Sequence, residues 1–236
     1  MEFAGALLAW FADPAHWAGA DGIPARLLQH LGYSLAATAI AAAVALPVGL
    51  GLGHAGRGGQ LAINVSNVGR AVPTFGILLL VVVVSGIGLA PLLVALIALA
   101  VPPIVTNSYV GVRSVDPEVR DAAEGMGMTG TQVLLRAELP VALPLVMAGL
   151  RTSAVQVVAT ATLAAVAALG GLGRYIVDGL ANRDLVQVTA GGLLVAVLSF
   201  VIELAMAGLQ RLVVPRGLAA RHAEAAASAK ATAPAA

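Results

Sequence analysis

Cysteine is absent from the 236 residues, which excludes disulfides and thiolate metal sites and leaves the redox compartment unreadable. Aromatic residues make up only 4%, too little for an aromatic cage of the kind that holds quaternary ammonium groups. Charge is scarce as well, at 11%, and its near balance leaves a net charge of +1 that points to no nucleic-acid partner; only its distribution informs. The four histidines, His16, His30, His54 and His222, are scattered, and His54 is expected to be merely solvated. Acidic residues cluster in one stretch alone, and no Walker-type phosphate loop appears. No catalytic residue, metal site or cofactor is therefore expected, and the chain cannot hydrolyse ATP by itself.

What is present is apolar surface: 59% hydrophobic residues and a mean hydropathy of +0.94, far beyond an ordinary soluble domain. The chain is expected to be an all-α, polytopic membrane protein with about five crossings. Residues 1–26 form an extracytoplasmic, interfacial segment with Trp10 and Trp17 at headgroup level; the acidic Glu2 argues against a signal peptide. Leu31 to Gly53 carries no charge and suffices for one crossing. Pro47 and the glycines at 49, 51 and 53 are expected to kink or fray its end. Ala71 to Val112 is also uncharged but too long for one crossing, and Ser85-Gly86-Ile87-Gly88-Leu89-Ala90-Pro91 divides it into crossings over 64–84 and 89–110. A fourth crossing runs from Val141 to Leu169. Gly170 through Asp184 reads as a polar loop, and Val186 to Leu209 as the fifth crossing. The Ala-rich tail, 215–236, is expected to be disordered.

Between the third and fourth crossings lies a charged insert, 116–139. Asp116 can cap a helix that has Pro117 at its first position and Glu118 favoured by the dipole. Val115, Val119, Ala122, Ala123 and Met126 share one face, and Gly125 and Gly127 end the helix. Thr129 and Gln132 form a capping-box pattern for a second short helix, which Pro140 is expected to terminate. Asp121, Ala122, Ala123, Gly127, Leu139 and Pro140, at these offsets, resemble the EAA motif of ABC-importer permeases. The run Ala-Ala-Glu-Gly-Met-Gly-Met-Thr with Glu138-Leu-Pro-Val-Ala-Leu-Pro144 resembles the branch for osmoprotectants such as glycine betaine, carnitine and choline. Asp121 stands where Glu is usual, and Ala137 where a larger aliphatic is usual. The resemblance covers residues 27–214, the expected transmembrane domain.

The resemblance implies that the insert is cytoplasmic and docks into an ATP-binding subunit through Asp121, Ala122, Ala123, Glu124, Gly127, Leu139 and Pro140. It also implies a second permease subunit, identical or homologous, and an extracytoplasmic substrate-binding protein. ATP would be bound by the partner subunit. With the insert inside, cytoplasmic segments hold Arg57, Arg113, Arg120, Arg136, Arg211, Arg216, Arg221 and Lys230, against Arg26, Arg174 and Arg183 outside. That imbalance places the N-terminus outside and the C-terminus in the cytoplasm of an inner-membrane, multi-pass protein.

Three charges remain in or near the crossings. At 1.5 Å rise per residue, Arg151 and Glu203 lie at similar depth, about 15 and 12 Å from the cytoplasmic ends of their helices, so an intramembrane ion pair is expected. Separate exposure of each to an aqueous vestibule is the alternative, and Arg70 is expected to reach the interface. Thr152, Gln156 and Thr160 make a polar stripe that either lines the passage or bonds neighbouring helices. The function expected is the permease subunit of an ATP-driven osmoprotectant importer. The alternatives are a permease for another small solute, such as an amino acid, and an ATP-independent secondary transporter, which would call for an internal inverted repeat.

Overall fold

Small residues at three- and four-residue spacing decide how the bundle closes. The computed structural model describes residues 2–59, 63–64, 69 and 71–214, and its elements are helical throughout. In chain order they are α1 (Glu2–Ala12), a 3-10 turn (Pro14–Trp17), α2 (Ile23–Ala55), α3 (Thr74–Ser85), α4 (Leu89–Arg113), α5 (Pro117–Gly125), α6 (Gly130–Val133), a π turn (Leu134–Glu138), α7 (Leu139–Thr160), a 3-10 turn (Ala161–Ala165), α8 (Gly173–Asn182) and α9 (Leu185–Val213).

Ile23–Ala55, Leu89–Arg113, the composite Gly130–Ala165 and Leu185–Val213 are each long and apolar enough to cross a bilayer. The second expected crossing is represented by α3, which at 12 residues rises about 18 Å. The earlier part of that crossing lies largely outside the described residues. Arg70 and the tail 215–236 lie outside them altogether.

Along α2, His30, Ser34, Ala37, Ala41, Ala45, Gly49 and Gly53 are buried in one stripe, and α4 lies against it. Without bulky side chains the two backbones approach closely, which is how apolar helices associate where lipid offers no hydrophobic driving force. A Cβ on Gly49 would stand 2.8 Å from both the Ser108 Cβ and the Val105 carbonyl oxygen. The expected fraying at Pro47 and the glycines is thus corrected: α2 stays helical to Ala55, Pro47 faces outward, and Gly49 and Gly53 are helix-contact positions. Leu92, Ala95, Leu96, Ala100 and Ile104 of α4, Leu78 of α3 and Val157 of α7 complete the core. Ser153 of α7, fully buried, donates to the Ala100 carbonyl at 2.8 Å, just before Pro102 and Pro103 in α4.

Three further expectations need correction. Residues 170–184 are not a polar loop throughout, because Leu172, Tyr175 and Gly179 supply a buried face at helical spacing, and α8 forms on it. The fourth crossing stops being α-helical at Thr160 and tightens into the 3-10 turn. Pro140 does not end the second insert helix. The π turn places the Leu139 N–H on the Leu134 carbonyl, five residues back, and this wider turn accommodates the proline ring, so the chain continues helically into α7.

Candidate functional site

The insert is built by local chemistry. The Asp116 carboxylate accepts the Glu118 N–H at 3.0 Å and starts α5. The helix ends in a Schellman arrangement, with the Met128 N–H on the Ala123 carbonyl at 3.2 Å and the Gly127 N–H on the Glu124 carbonyl at 2.9 Å. This requires the φ of +83° that Gly127 adopts, so the glycine of the motif has a conformational cause. Thr129 and Gln132 form the reciprocal capping box of α6.

Of the candidate docking residues, Asp121, Ala122, Glu124 and Gly127 are exposed, Ala123 is buried, and Leu139 and Pro140 are half-buried. Leu139 packs with Leu134 on Val112, Ala142 and Val146. Apolar residues remain open beside the acidic ones: Val119 is 42% exposed and Met126 72%. The apolar side of α5 is thus only partly covered in the single chain, with Val115 and Ala123 buried and Val119 and Met126 open.

A charged cluster that the sequence reading missed holds the insert's root. Glu138 is fully buried; His54 Nδ1 lies 2.7 Å from its Oε2, and Arg120 Nη2 lies 2.6 Å from its Oε1. The Arg120 contact is short but not aligned as a hydrogen bond, so it is best described as an ion pair. The expectation that His54 is merely solvated is therefore corrected. Glu138 adjoins Leu139-Pro140, and an acidic side chain at the head of the uncharged run Leu139 to Leu150 was the available signal.

At the opposite end of the bundle the buried contacts are neutral hydrogen bonds, with the ion pairs Arg26–Asp21 and Arg174–Asp178 at the partly exposed margin. His30 Nε2 donates to the Val158 carbonyl at 2.8 Å while Nδ1 accepts the Leu172 N–H at 3.3 Å, an arrangement that only the Nε2-protonated neutral ring satisfies. Gln29 Oε1 accepts the Gly171 N–H at 2.9 Å, and the Tyr175 hydroxyl donates to the Asp21 carbonyl at 2.7 Å. Burial pushes the Tyr175 phenol up; Arg26 opposes the shift and the Asp21 carboxylate adds to it. Trp10 stacks on His16 at 4.0 Å and meets Tyr175 edge-on at 5.5 Å, so it faces the protein, whereas Trp17 is exposed.

Between the two ends, Arg151 of α7 and Glu203 of α9 form an ion pair, each side chain about one-third exposed (35% and 34%). A cavity of about 740 Å³, lined in part by Arg151, Gln210 and Arg211, opens beside it. Thr152 and Gln156 are exposed on α7 and Thr160 is half-buried, on the side away from buried Ser153, Ala154 and Val157. The bond to a neighbouring helix in this segment comes from Ser153.

This combination, a bundle of membrane-spanning helices interrupted by an exposed two-helix insert, defines a transport permease fold. Over 80% of the chain it matches the MetNI methionine ABC transporter in inward-facing conformations, with a TM-score of 0.69 and 22% identity, covering 94% of that chain. The family described as binding-protein-dependent transport system inner membrane components matches residues 29–217, and the protein belongs to it. Among its relatives is the carnitine transport permease protein OpuCB of Listeria monocytogenes, 34% identical over 90% of this chain and 95% of that one. Another is the glycine betaine/carnitine/choline transport system permease protein OpuCB of Bacillus subtilis, 35% identical over 80% and 88%.

Proposed function

We propose that the chain is the transmembrane subunit of an ATP-driven importer for osmoprotectants: glycine betaine, choline or carnitine. The observation that carries the mechanism is the exposed face of α5, with Val119 and Met126 uncovered beside Asp121 and Glu124, which fits a groove on an ATP-binding subunit. The substrates named for the relatives support the substrate class. Two permease subunits, this chain with a copy or a homologue, form the path through the bilayer. A binding protein delivers substrate from outside, so the scarcity of aromatics suits a chain that passes substrate without caging it. The N-terminus is outside, the C-terminus cytoplasmic, and ATP is held by the partner. Closure of the ATPase subunits moves α5 and the helices it joins as rigid bodies, alternating access.

Reconstitution with the ATP-binding partner and binding protein tests this, with ATPase activity followed against glycine betaine, choline, carnitine and an amino-acid panel. Stimulation by a quaternary amine is the expected result. Stimulation by an amino acid alone would keep the permease and discard the osmoprotectant assignment, and uptake that persists without an ATPase subunit would discard the coupling.

A further inference from the structure

α5 is poorly anchored by packing: Ala123 is the one side chain buried within it. A push on such a helix needs another route into the bundle. Two elements converge on one carboxylate of a third, Glu138, the last residue of the π turn and fully buried. Arg120 reaches it from α5, with Nη2 2.6 Å from Oε1, and His54 from the end of α2, with Nδ1 2.7 Å from Oε2. His54 also borders α6, since its Nε2 would stand 3.3 Å from a Cβ placed on Gly130. Glu138 itself leads into α7 one residue before Leu139.

We propose that Glu138, gripped by Arg120 and His54, is the joint that transmits displacement of α5 to α2 and α7 together. The three are positioning residues, and the inference rests on the coupled-importer reading above. A buried carboxylate with two such partners resists separation from either, because losing Arg120 leaves its charge uncompensated and losing His54 leaves Oε2 without its hydrogen-bond partner in a low-dielectric site. The π turn beside it has the opposite property. Its wider register, followed by Pro140 with no N–H to give, leaves a carbonyl of the preceding turn without its helical donor. A stiff charged contact next to a weakened helical turn makes α7 pivot at its root while α2 follows through His54.

The test uses the complete transporter in proteoliposomes and reads substrate taken up per ATP hydrolysed, alongside the amount of ATPase subunit that co-purifies. Glu138→Gln keeps the shape and removes the charge. It is expected to retain the ATPase subunit and hydrolysis while uptake per ATP falls about tenfold, inside the range that coupling free energies span. His54→Gln, at a partly exposed position, is expected to give a smaller fall in the same ratio and decides the matter if Glu138→Gln fails to assemble. Arg120→Lys should preserve the ratio where Arg120→Gln does not, and Arg120→Gln combined with Glu138→Gln should be no worse than Glu138→Gln alone. A wild-type ratio in His54→Gln and Arg120→Gln, or additive losses in the double variant, overturns the joint. Absence of ATP-driven uptake by the wild type removes the importer reading and the joint with it, so the two failures are distinguishable.

Discussion

Both ends of the bundle carry short helices, and the chemistry that fixes them differs. Where α1 and α8 gather, Trp10, Leu172 and Tyr175 are buried, the bonds that reach inward are neutral ones to backbone from His30, Gln29 and Tyr175, and the ion pairs Arg26–Asp21 and Arg174–Asp178 lie at the partly exposed margin. At the insert end, α5 leaves Val119 and Met126 open and is tied by a buried carboxylate between two basic side chains. The first arrangement is complete within one chain. The second leaves apolar surface uncovered, where the ATP-binding subunit is proposed to dock, and holds the proposed joint at its root. Changes at the α1/α8 end should therefore cost stability, and changes at the insert should cost coupling.

The largest effect expected is from Gly127→Arg. No atom lies within 4 Å of where its Cβ would be, so the fold suffers only the left-handed backbone penalty, about 1–2 kcal/mol. The proposed docking face acquires a bulky cation, and uptake per ATP should fall about tenfold or more, within the ~1–3 kcal/mol that coupling terms span, while the backbone strain lowers the melting temperature by about 2–8 °C. Wild-type coupling in this variant would break the comparison.

His30→Leu should do the reverse. It leaves the Leu172 N–H and Val158 carbonyl without their imidazole partners, at about 1–3 kcal/mol for each buried group left unsatisfied. Thermal unfolding in detergent should show a clear drop, while the surviving protein transports with an unaltered uptake-to-hydrolysis ratio. Between the ends, Arg151→Met should lower stability and yield more than the double change Arg151→Met with Glu203→Leu, since the single change strands a carboxylate beside hydrocarbon. Equal yields would mean that water, rather than the pair, compensates Glu203.

The sequence revealed the insert and much of the span order because both rest on local signals. Asp116, Pro117, Gly127 and the Thr129/Gln132 box act within a few residues of themselves, and uncharged runs mark spans by length. Depth arithmetic along two helices also brought Arg151 and Glu203 to one level. What stayed hidden depends on pairing across the chain: His30 with Leu172, 142 residues apart, and His54 with Glu138, 84 apart, have no local signature. Gly49 and Gly53 were misread for a related reason. A glycine in an apolar helix looks like a breaker until a second helix is known to lie against it. Pro140 was misread because a π turn has no recognisable sequence pattern.

The smallest effect expected lies at Tyr175, and it sets the sharpest limit on the division between the two ends. Tyr175→Phe keeps the ring against Trp10 and removes only the bond to the Asp21 carbonyl. Asp21 is exposed, so water can replace the phenol, and the loss should sit near the lower end of about 0.5–1.5 kcal/mol. The phenol is raised in the folded protein by burial, so its protonated form is the one the fold favours. The contribution is therefore complete below the unfolded value of about 10, and it disappears as pH climbs from there through the folded value. Melting temperatures of the wild type and Tyr175→Phe should differ slightly at neutral pH and converge in strong alkali, with uptake per ATP identical in both. A coupling defect in this variant would show that the α1/α8 end takes part in transmission, and the separation of a self-sufficient end from a partner-dependent one would fail.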